Sequence, residues 1–573
     1  MPNISKWMLG GLMLCGLALS AEMAVGQTYR ASRPVRGVYL RPPASLTGTS
    51  GLEGNLANFA GAKVTDLFLE TLYWGVSTGK PGVFNARFGF DYLQESIVRS
   101  ARYGIRVHAW CETAYLQFGS TGAYNFTVNA PGQSVGNPEW KAISATTMAG
   151  GGDGTAGQVF GNLAHPGLQA KLRNYFAELA GYPGIAGVMT DYHRYPLDDN
   201  TADANPAPWS FDTWSRNAFM AIYGASNDPL LKAITTSGST GTQYTNFSNW
   251  RKSGLTEAAR QMKLGIDSVE PAVEFSAAMF ANPEPAKCQD WRTWATNGYV
   301  DWLCPMVYNS TTTGITNDIN TVKANAAGRR VIPSLYTDST SGHPTLSQQL
   351  TACSNATGTN GVGIQEWIFF SGPTFTVAAN RTTLANFVAS TATKQRGDFN
   401  NDGYIDATDR QMFQAVYSGT PVSSAGANAR YNYDANGVID ENDWKLFKAE
   451  FFRWHFGESR VPDLRAAAAL LQCWGGTPAV AGILHLYDLN GDGVVNQPDL
   501  DIVMIERTCP ADLNEDGQVD NTDFAAFAGS YAIFDCSDPA MTAACPSDIN
   551  RDGAVDNTDF VAFASAYNEF ACP

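Results

Sequence analysis

Residues 187–196 of the chain read Gly-Val-Met-Thr-Asp-Tyr-His-Arg-Tyr-Pro. The stretch opens with a short apolar run, which is typical of a strand buried on both faces of a parallel sheet. The run passes directly into polar and aromatic residues that begin at Asp191, and Pro196 closes the segment. The stretch therefore predicts a buried parallel strand, residues 187–192, whose carboxyl end holds the polar side chains.

Seven further apolar runs flank this one, and helical patterns separate them. The predicted strands are residues 35–40, 66–74, 105–111, 187–192, 274–281, 299–308, 329–336 and 361–370. Residues 92–102 and 168–179 are examples of the intervening helices, and the long stretch 197–271 holds more than one helix. A strand that alternates with a helix eight times predicts an α/β fold, a (β/α)₈ TIM barrel.

The amino terminus has the pattern of an export signal. Lys6 precedes the apolar run Trp7–Leu19, which has about the length of a signal-peptide core. The run is shorter than the roughly 20 apolar residues that span a bilayer, and no later stretch is apolar enough. We expect residues 1–26 to be a signal peptide. The mature protein is then secreted, periplasmic or on the cell surface, with no membrane span after cleavage.

The net charge of −16 is concentrated after residue 397. Residues 398–573 contain 28 Asp and Glu against 9 Lys and Arg, a balance of −19, which leaves about +3 for the rest. An acidic tail argues against nucleic acid as a partner, and the nearly neutral, aromatic-rich remainder suits a polysaccharide. The predicted organisation is a barrel at 34–390, a linker at 391–397, and calcium-loop modules at 398–455 and 463–573.

Carboxylates stand at several predicted strand ends, and in such barrels the carboxyl ends of strands carry the catalytic residues. Asp191 ends the fourth strand, Glu112 follows the third, Glu70 lies in the second and Glu366 in the eighth. Cleavage of a glycosidic bond needs one protonated carboxyl and a second carboxylate that acts as nucleophile or base. The sequence therefore predicts Asp191 as one catalytic residue and ranks Glu112 first as its partner, before Glu70 and Glu366.

Aromatic and polar residues at the same strand ends are the candidates for sugar binding, because rings pack on sugars while polar tips bond hydroxyls. These candidates are Arg41, Tyr73, Trp74, His108, Trp110, His193, Arg194, Tyr195, Tyr308, Asn309 and Trp367. The six histidines show no zinc spacing such as H-E-x-x-H. No catalytic metal is expected.

Five segments resemble, in the same order, the motifs of glycosyl-hydrolase-like family 10. They are Arg36-Gly-Val-Tyr-Leu-Arg41, Val107-His-Ala-Trp110, His165-Pro166, Gly187 to Pro196, and Asp301-Trp-Leu-Cys-Pro305-Met-Val-Tyr308. The resemblance covers about residues 34–390, and Asp-Tyr-x-Arg-Tyr-Pro is its specific part. It implies a TIM-barrel glycoside hydrolase of cell-wall glycans, with Asp191 as an active-site acid and Arg194 and Tyr195 shaping the site. Glu70 departs from the family pattern, in which an uncharged polar residue is expected.

The tail repeats a loop with oxygen-bearing side chains at positions 1, 3, 5, 9 and 12 and glycine at position 6. These are the spacings of an EF-hand calcium loop, in which position 7 supplies a carbonyl. The second of the five copies begins with Asn and should bind more weakly. The predicted calcium ligands are Asp398, Asn400, Asp402, Tyr404, Asp406, Asp409; Asn432, Asp434, Asn436, Val438, Asp440, Asp443; Asp488, Asn490, Asp492, Val494, Asn496, Asp499; Asp512, Asn514, Asp516, Gln518, Asp520, Asp523; and Asp548, Asn550, Asp552, Ala554, Asp556, Asp559.

Position 12 of each loop is Asp, and a single short helix follows, which resembles dockerin type I repeats. The resemblance implies structural Ca²⁺ in the tail and a cohesin-like or cell-surface scaffold protein as a partner. The alternative is that calcium only holds together a small acidic domain with little core. The uneven spacing of the copies (34, 56, 24 and 36 residues) leaves both interpretations open.

Export also permits disulfides. Cys509 and Cys545 open two similar units, and each unit reaches another cysteine 27 residues later, Cys536 and Cys572. The simplest prediction pairs Cys509 with Cys536 and Cys545 with Cys572, although a crossed pairing stays open.

Two function classes fit these features. The first is a secreted glycoside hydrolase that uses paired carboxylates. The second is a glycan-binding or scaffold-attached surface protein that keeps the barrel without a catalytic pair. A structure in which Asp191 stood far from every other carboxylate of the rim would favour the second class.

Overall fold

The computed structural model describes residues 33–43, 46–80, 82–118, 124–125, 134–135, 140–143, 158–195, 209–230, 242–282, 287–337, 342–357, 363–391, 396–456, 462–480 and 482–567. The predicted signal peptide lies outside these residues. The described chain divides into two compact units. One contains residues 34–391 and the residues from 455 onward, and the other contains residues 396–454 with Arg33.

All eight predicted strands are present, and several are shorter than predicted. They are β1 (Arg36–Leu40), β2 (Asp66–Tyr73), β3 (Arg106–Glu112), β4 (Ile185–Asp191), β5 (Glu274–Met279), β6 (Trp302–Pro305), β7 in two pieces (Arg330–Val331 and Ser334–Tyr336) and β8 (Trp367–Phe370). Each strand from β1 to β6 pairs in parallel with the next, and β8 pairs with β1.

The seventh strand is interrupted at Ile332-Pro333, because proline has no N–H to donate to a neighbouring strand. Its first piece pairs with β6 and its second piece with β8. An isolated bridge from Met306 to Ser334 links β6 to the second piece. The sheet is thus curled and mostly parallel, with one short antiparallel strand, Val76–Ser77, beside β2. This architecture is consistent with a (β/α)₈ barrel.

Helices follow the strands. They are α1 (Leu52–Gly61), α2 (Tyr92–Ala101), α3 (Pro166–Ala180), α4 (Thr213–Tyr223), α5 (Thr242–Asp267), α6 (Trp291–Thr296), α7 (Thr312–Asn325), α8 (Leu346–Asn355) and α9 (Ala378–Thr391). The predicted insertion after β4 is confirmed, because it contains α4 and α5. None of the helices in the described part of the chain is both long and apolar enough to cross a membrane.

A second excursion, after β3, was not predicted from the sequence. Tyr115–Phe118 pairs in antiparallel fashion with Gln158–Phe160. The rings of Tyr115 and Phe160 stack with centroids 5.3 Å apart. This small sheet brings two aromatic side chains close to the carboxyl ends of β3 and β4.

The unit of residues 396–454 contains two of the predicted calcium loops. Helix α10 (Ala407–Val416) follows the first loop and α11 (Glu441–Phe456) follows the second. Val422–Ser423 pairs with Val438–Ile439. Phe399, Phe413 and Phe447 pack in its centre, with the Phe413 and Phe447 rings 5.1 Å apart. A small aromatic core therefore joins the two loops.

The described residues from 462 onward contain α12 (Leu464–Gln472), α13 (Gln497–Ile505), α14 (Asn521–Ile533) and α15 (Asn557–Tyr567). Helices α14 and α15 are joined by two reciprocal hydrogen bonds. Tyr531 donates to Asn557 Oδ1 at 2.8 Å, and Tyr567 donates to Asn521 Oδ1 at 2.6 Å. Each residue of one bond stands 36 positions from its counterpart in the other, as the repeat spacing requires.

Cys536 forms a disulfide with Cys545, so both predicted pairs, Cys509–Cys536 and Cys545–Cys572, are wrong. The chain after α14 turns toward the next unit, because Cys536 N–H donates to Gly553 O at 3.1 Å. That turn places Cys536 beside the first cysteine of the following unit instead of its own. Cys509 is also disulfide-bonded, and Cys572 lies outside the described residues. Five further cysteines are buried and form no disulfide among the described residues: Cys111, Cys288, Cys304, Cys353 and Cys473.

Candidate active site

The barrel interior is filled by an apolar layer between two polar ends. Alternate residues of each strand point inward, as the two-residue period of a strand requires. The layer consists of Val35, Tyr39, Phe68, Trp110, Met189, Ala278, Trp302, Cys304, Ile332 and Ile368. Side chains further along the strands therefore face the carboxyl rim, and side chains before the layer face the opposite end.

Three predicted carboxylates meet at the carboxyl rim. Glu112 and Asp191 are direct register partners at the last positions of β3 and β4. Glu70 lies near the end of β2, opposite Trp110 of β3. All three are buried, with 1%, 0% and 8% exposure for Glu70, Glu112 and Asp191. Because neighbouring strands are about 4.8 Å apart, Asp191 is close to a second rim carboxylate.

Arg41, directly after β1, holds two of these acids. Its Nε lies 2.6 Å from Glu70 Oε1, and an Nη lies 2.6 Å from Glu112 Oε1. The guanidinium also lies over the ring of Trp110, 5.1 Å from the centroid. A second arginine, Arg87, approaches Glu70 Oε2 at 3.8 Å. Glu112 Oε2 is buried and has no partner among the described residues, so it can bond a ligand.

Asp191 is held differently, by N–H donors. The backbone N–H of Tyr192 donates to Oδ1 at 2.6 Å, and the indole N–H of Trp110 donates to Oδ2 at 3.0 Å. Tyr192 has a φ of 48°, a conformation that non-glycine residues seldom adopt. The guanidinium of Arg194 lies over the Tyr192 ring, 4.5 Å from its centroid.

Burial raises the pKa of all three carboxyls. The neighbouring charges and hydrogen bonds differ among the three, so the size of the rise differs too. The charges of Arg41 and Arg87 oppose the rise for Glu70, whose pKa reaches about 7. For Glu112, burial and then the charge of Glu70 raise the pKa well above its ordinary value. For Asp191, burial raises the pKa, while the Tyr192 N–H and the Arg194 charge oppose the change. The shifts therefore favour a protonated Glu112, while the N–H donors and the Arg194 charge around Asp191 favour its carboxylate form.

Aromatic rings line both sides of the carboxylates. On one side the rings of Tyr73 and Trp74 stack at 4.2 Å, and Tyr115 lies 5.4 Å from Tyr192. On the other side are the rings of Tyr308, Tyr336 and Phe370, within 6.1 Å of one another. Sequence reasoning found Tyr73, Trp74 and Tyr308 but missed the rest. Tyr336 and Phe370 could have been found from strand alternation, whereas Tyr115 and Arg87 reach the site from segments without a strand signal.

Glu366 and Trp367 were predicted at the rim, and the structure corrects both. Strand β8 begins at Trp367, so Glu366 lies at its amino end, where it accepts from Arg330 Nε at 3.0 Å and Val35 N–H at 2.9 Å. Trp367 is 1% exposed and packs beside Phe387. The ion pair with Arg330 makes Glu366 a partly buried structural acid.

The two histidines and Tyr195 also lie away from the site. His108 is fully buried at the amino side of the apolar layer, with Nε2 3.1 Å from Asp66 Oδ1. His193 bonds the carbonyl of Leu255 at 2.8 Å, and Tyr195 bonds Ser210 at 2.5 Å. Asn309 accepts a hydrogen bond from the backbone N–H of Thr311 at the start of α7. These side chains have structural partners outside the carboxylate cluster.

Four of the five tail loops begin with an Asp that accepts from the N–H of the loop glycine, and all five bury the Asp at position 12. In the loop from Asp488 to Asp499, the first Asp accepts from the N–H groups of Gly491 and Gly493 at 2.8 and 2.9 Å. Asp499 is 0% exposed and accepts from Leu489 at 2.7 Å. The equivalent position-12 residues Asp409, Asp443, Asp523 and Asp559 are also 0% exposed and accept from the same loop amides. An oxygen-only set on a glycine turn fits Ca²⁺.

One family model matches the part of the chain that contains the three carboxylates. The family model described as "Glycosyl hydrolase-like 10" matches residues 67–341. This stretch is similar to a glycosyl hydrolase-like domain. The match runs from β2 through β7 and therefore includes Glu70, Glu112 and Asp191. No curated protein matches the chain.

Solved structures with a similar fold are distant in sequence. The catalytic domain of beta-amylase from Paenibacillus polymyxa is 13% identical, with a TM-score of 0.42, and the match covers 62% of this chain and 98% of that one. The PgaB (BpsB) glycoside hydrolase domain from Bordetella bronchiseptica is 12% identical, with a TM-score of 0.43 and coverage of 63% and 100%. The beta-galactosidase from the haloarchaeon Halorubrum lacusprofundi is 12% identical, with a TM-score of 0.41 and coverage of 63% and 59%.

Proposed function

We propose that the chain is an exported glycoside hydrolase that cleaves a polysaccharide or cell-wall glycan at the carboxyl rim of its barrel. The observation that carries the proposal is the pairing of Glu112 with Asp191 on neighbouring strands, in surroundings that treat the two acids differently. Glycosidic cleavage requires two such carboxyls, one protonated and one ionised. The amino-terminal signal pattern supports export.

Each acid has one role in this proposal. Glu112 donates its proton to the leaving glycosidic oxygen through Oε2, which has no other partner in the described structure. Asp191, held by Trp110 and the Tyr192 amide, acts on the anomeric carbon as nucleophile or activates the attacking water. Glu70 and Arg41 set the charge around Glu112. The aromatic rings on both sides of the cluster suit the apolar faces of sugar rings.

The test is release of reducing ends by the purified full chain from a panel that includes peptidoglycan and plant and algal polysaccharides. We expect Asp191→Asn and Glu112→Gln each to lower the rate by about 10²- to 10⁴-fold, because each removes a proton-transfer or nucleophilic group. Glu366→Gln is the matched control, a partly buried acid at the other end of the barrel, and it should keep the rate per folded molecule. Unchanged rates in Asp191→Asn and Glu112→Gln would falsify the assignment.

The alternative is a glycan-binding surface protein that performs no cleavage. The proximity of Asp191 to Glu112 disfavours it, because a binding site has no need of two buried, differently titrating acids. Binding of a glycan from the panel without release of products by the wild-type chain would establish the alternative.

We propose that the tail loops bind structural calcium, on the strength of their oxygen-only side chains and buried position-12 carboxylates. A cohesin-like or surface scaffold protein remains the proposed partner of the tail, from the dockerin resemblance alone. Pull-down with a purified cohesin, in calcium and in EDTA, tests that partner directly.

A further inference from the structure

One stretch of the tail packs against the barrel. We call residues 475–487 the barrel-contact segment; of these, residue 481 lies outside the described residues. Ala479 N–H donates to Arg102 O at 3.2 Å, and Leu486 N–H donates to Ala101 O at 3.0 Å. Ile483 packs against the main hydrophobic core of the barrel. The segment is thus bonded to the end of α2 and the turn before β3.

The fit is close enough to require glycine at two barrel positions. Gly104 has a φ of 69°, and a Cβ there would lie 2.9 Å from the carbonyl oxygen of Leu484. Gly184 has a φ of 82°, and its Cβ would lie 2.9 Å from the Tyr487 hydroxyl. The neighbour of Gly104 is a backbone oxygen, which a Cβ could not approach so closely without displacement, whereas the neighbour of Gly184 is the end of a side chain. The barrel surface and the segment are therefore complementary in shape.

Helix α12, which precedes the segment, makes a third attachment. Arg465 Nε lies 3.1 Å from Glu270 Oε2, and the same guanidinium donates to the carbonyl of Val269. Gly104 precedes β3, Gly184 precedes β4 and Glu270 precedes β5. The attachments therefore hold the amino ends of three consecutive strands, and two of these strands carry Glu112 and Asp191 at their other ends.

The loop from Asp488 to Asp499 fixes both ends of the barrel-contact segment. Tyr487 directly precedes Asp488, the first predicted calcium ligand. At the other end, Gly475 N–H donates to Val495 O at 2.8 Å, and Val495 N–H donates to Gly476 O at 3.0 Å. Val495 is the eighth residue of the loop. The conformation of this loop therefore sets the separation and direction of the two ends of the segment.

We propose that calcium in the loop Asp488–Asp499 clasps the tail to the barrel and stabilises the starts of β3, β4 and β5. The proposal rests on the proposed calcium binding of the tail and is independent of the proposed glycosidase activity. Without the ion, the carboxylates of Asp488, Asp492 and Asp499 repel one another, and the loop loses the geometry that holds Gly475 and Tyr487 in place. The barrel-contact segment then releases the barrel surface.

A matched pair of variants tests the clasp. Asp492→Ala and Asp516→Ala each remove the position-5 carboxylate of one loop, and both side chains are exposed. The side chain of Asp516 is bonded within the loop Asp512–Asp523. The helix that follows this loop, α14, packs on α15. Native mass spectrometry of the full chain should show that each variant binds one calcium ion fewer than wild type. The two variants are then matched in the number of ions lost.

Hydrogen exchange of the full chain in saturating calcium is the readout. We expect Asp492→Ala to accelerate exchange by about ten-fold in peptides covering residues 97–106 and 264–274, because opening of the clasp exposes their amides. Asp516→Ala should leave the peptide 97–106 at the wild-type rate. That peptide is the decisive one, because Glu515 of the control loop bonds Leu464 N–H at the start of α12. EDTA added to wild type should reproduce the pattern of Asp492→Ala.

Two results would overturn the clasp, and they separate it from the proposal of calcium binding. If Asp492→Ala loses its ion while exchange in the barrel peptides is unchanged, the loop binds calcium but does not hold the barrel. If wild type binds no calcium at all, both proposals fail together, and the panel of glycans still tests the glycosidase independently.

Discussion

At the scale of single residues, one guanidinium determines the state of the candidate site. Arg41 is about half exposed, with 43% of its side chain accessible, yet it contacts two nearly inaccessible acids. Because Glu70 and Glu112 share this cation, a proton gained by one changes the charge that the other experiences. Such groups titrate as a set, and their apparent pKa values belong to the cluster.

Replacement of Glu70 by Gln is expected to move the pH profile of glycan cleavage. The charge of Glu70 raises the pKa of Glu112, so its removal lowers that pKa. The acid must be protonated to donate, so activity is lost as pH rises through its pKa. The alkaline limb of kcat/KM should therefore shift to lower pH in the Glu70→Gln variant. The charges of Glu70 and Asp191 also repel each other, so the acid limb, assigned to Asp191, should shift in the same direction.

The control for this experiment is Glu366→Gln, because Glu366 pairs with Arg330 at the far end of the barrel. Its pH profile should coincide with that of wild type. An alkaline limb that does not move in Glu70→Gln, or that moves equally in both variants, would mean that Glu70 does not act on the donor.

At the scale of elements, the strands were predictable from the sequence. The residues at their carboxyl ends were predictable only in part. A continuous apolar run predicts a buried strand whatever its neighbours are, and all eight runs formed strands. Glu366 was misplaced because the predicted strand began at residue 361 and the actual strand begins at Trp367. The early predicted start put Glu366 past the middle of the strand, whereas it lies just before the first residue of the actual strand. No local sequence pattern marks which end of a strand a carboxylate occupies.

The aromatic and cationic side chains of the site were harder to predict for another reason. Tyr115 and Arg87 come from segments after β3 and β2 that reach the rim only through tertiary folding. The turn at Tyr192 redirects His193 toward Leu255, so residues that are adjacent in sequence to Asp191 end on different sides of the chain. The positions of Asp191, Glu112 and Glu70 followed from strand ends alone.

The disulfide Cys536–Cys545 gives a prediction for the paired helices α14 and α15. Replacing both cysteines by Ala should lower the free energy of unfolding of this pair by about 2–3 kcal/mol, the loop-closure entropy expected for a loop of roughly ten residues. Urea unfolding followed by hydrogen exchange in α14 and α15 measures the change, and barrel peptides serve as the internal reference. Non-reducing peptide mapping that links Cys509 to Cys536 would contradict the structure.

At the scale of the whole molecule, charge is separated from the barrel. The residues from 398 onward carry 28 acids and 9 bases, whereas the remaining 397 residues are nearly neutral. Acidic loops of this density repel one another unless cations are bound. Calcium in the loops would therefore neutralise the tail as well as order it.

Chelation should consequently destabilise the chain in a salt-dependent way. We expect EDTA to lower the first transition in calorimetry, with a larger shift at about 0.01 M than at about 1 M NaCl, since salt screens the repulsion. Each saturated site contributes about 2.7 kcal/mol when free calcium is 100 times its Kd. Identical transitions with calcium and with EDTA at both salt concentrations would rule out calcium as a structural ligand.

The filled interior of the barrel limits how a ligand can reach and leave the carboxylates at the rim. The apolar layer of Tyr39, Phe68, Trp110 and Met189 closes the floor beneath the carboxylates. Any ligand that reaches Asp191 must therefore enter and leave through the same opening at the carboxyl rim. A long polymer cannot pass through the filled barrel, so it must lie across the opening or enter it by one end. In the proposed reaction, products that dissociate slowly would therefore compete with the next substrate molecule and limit turnover.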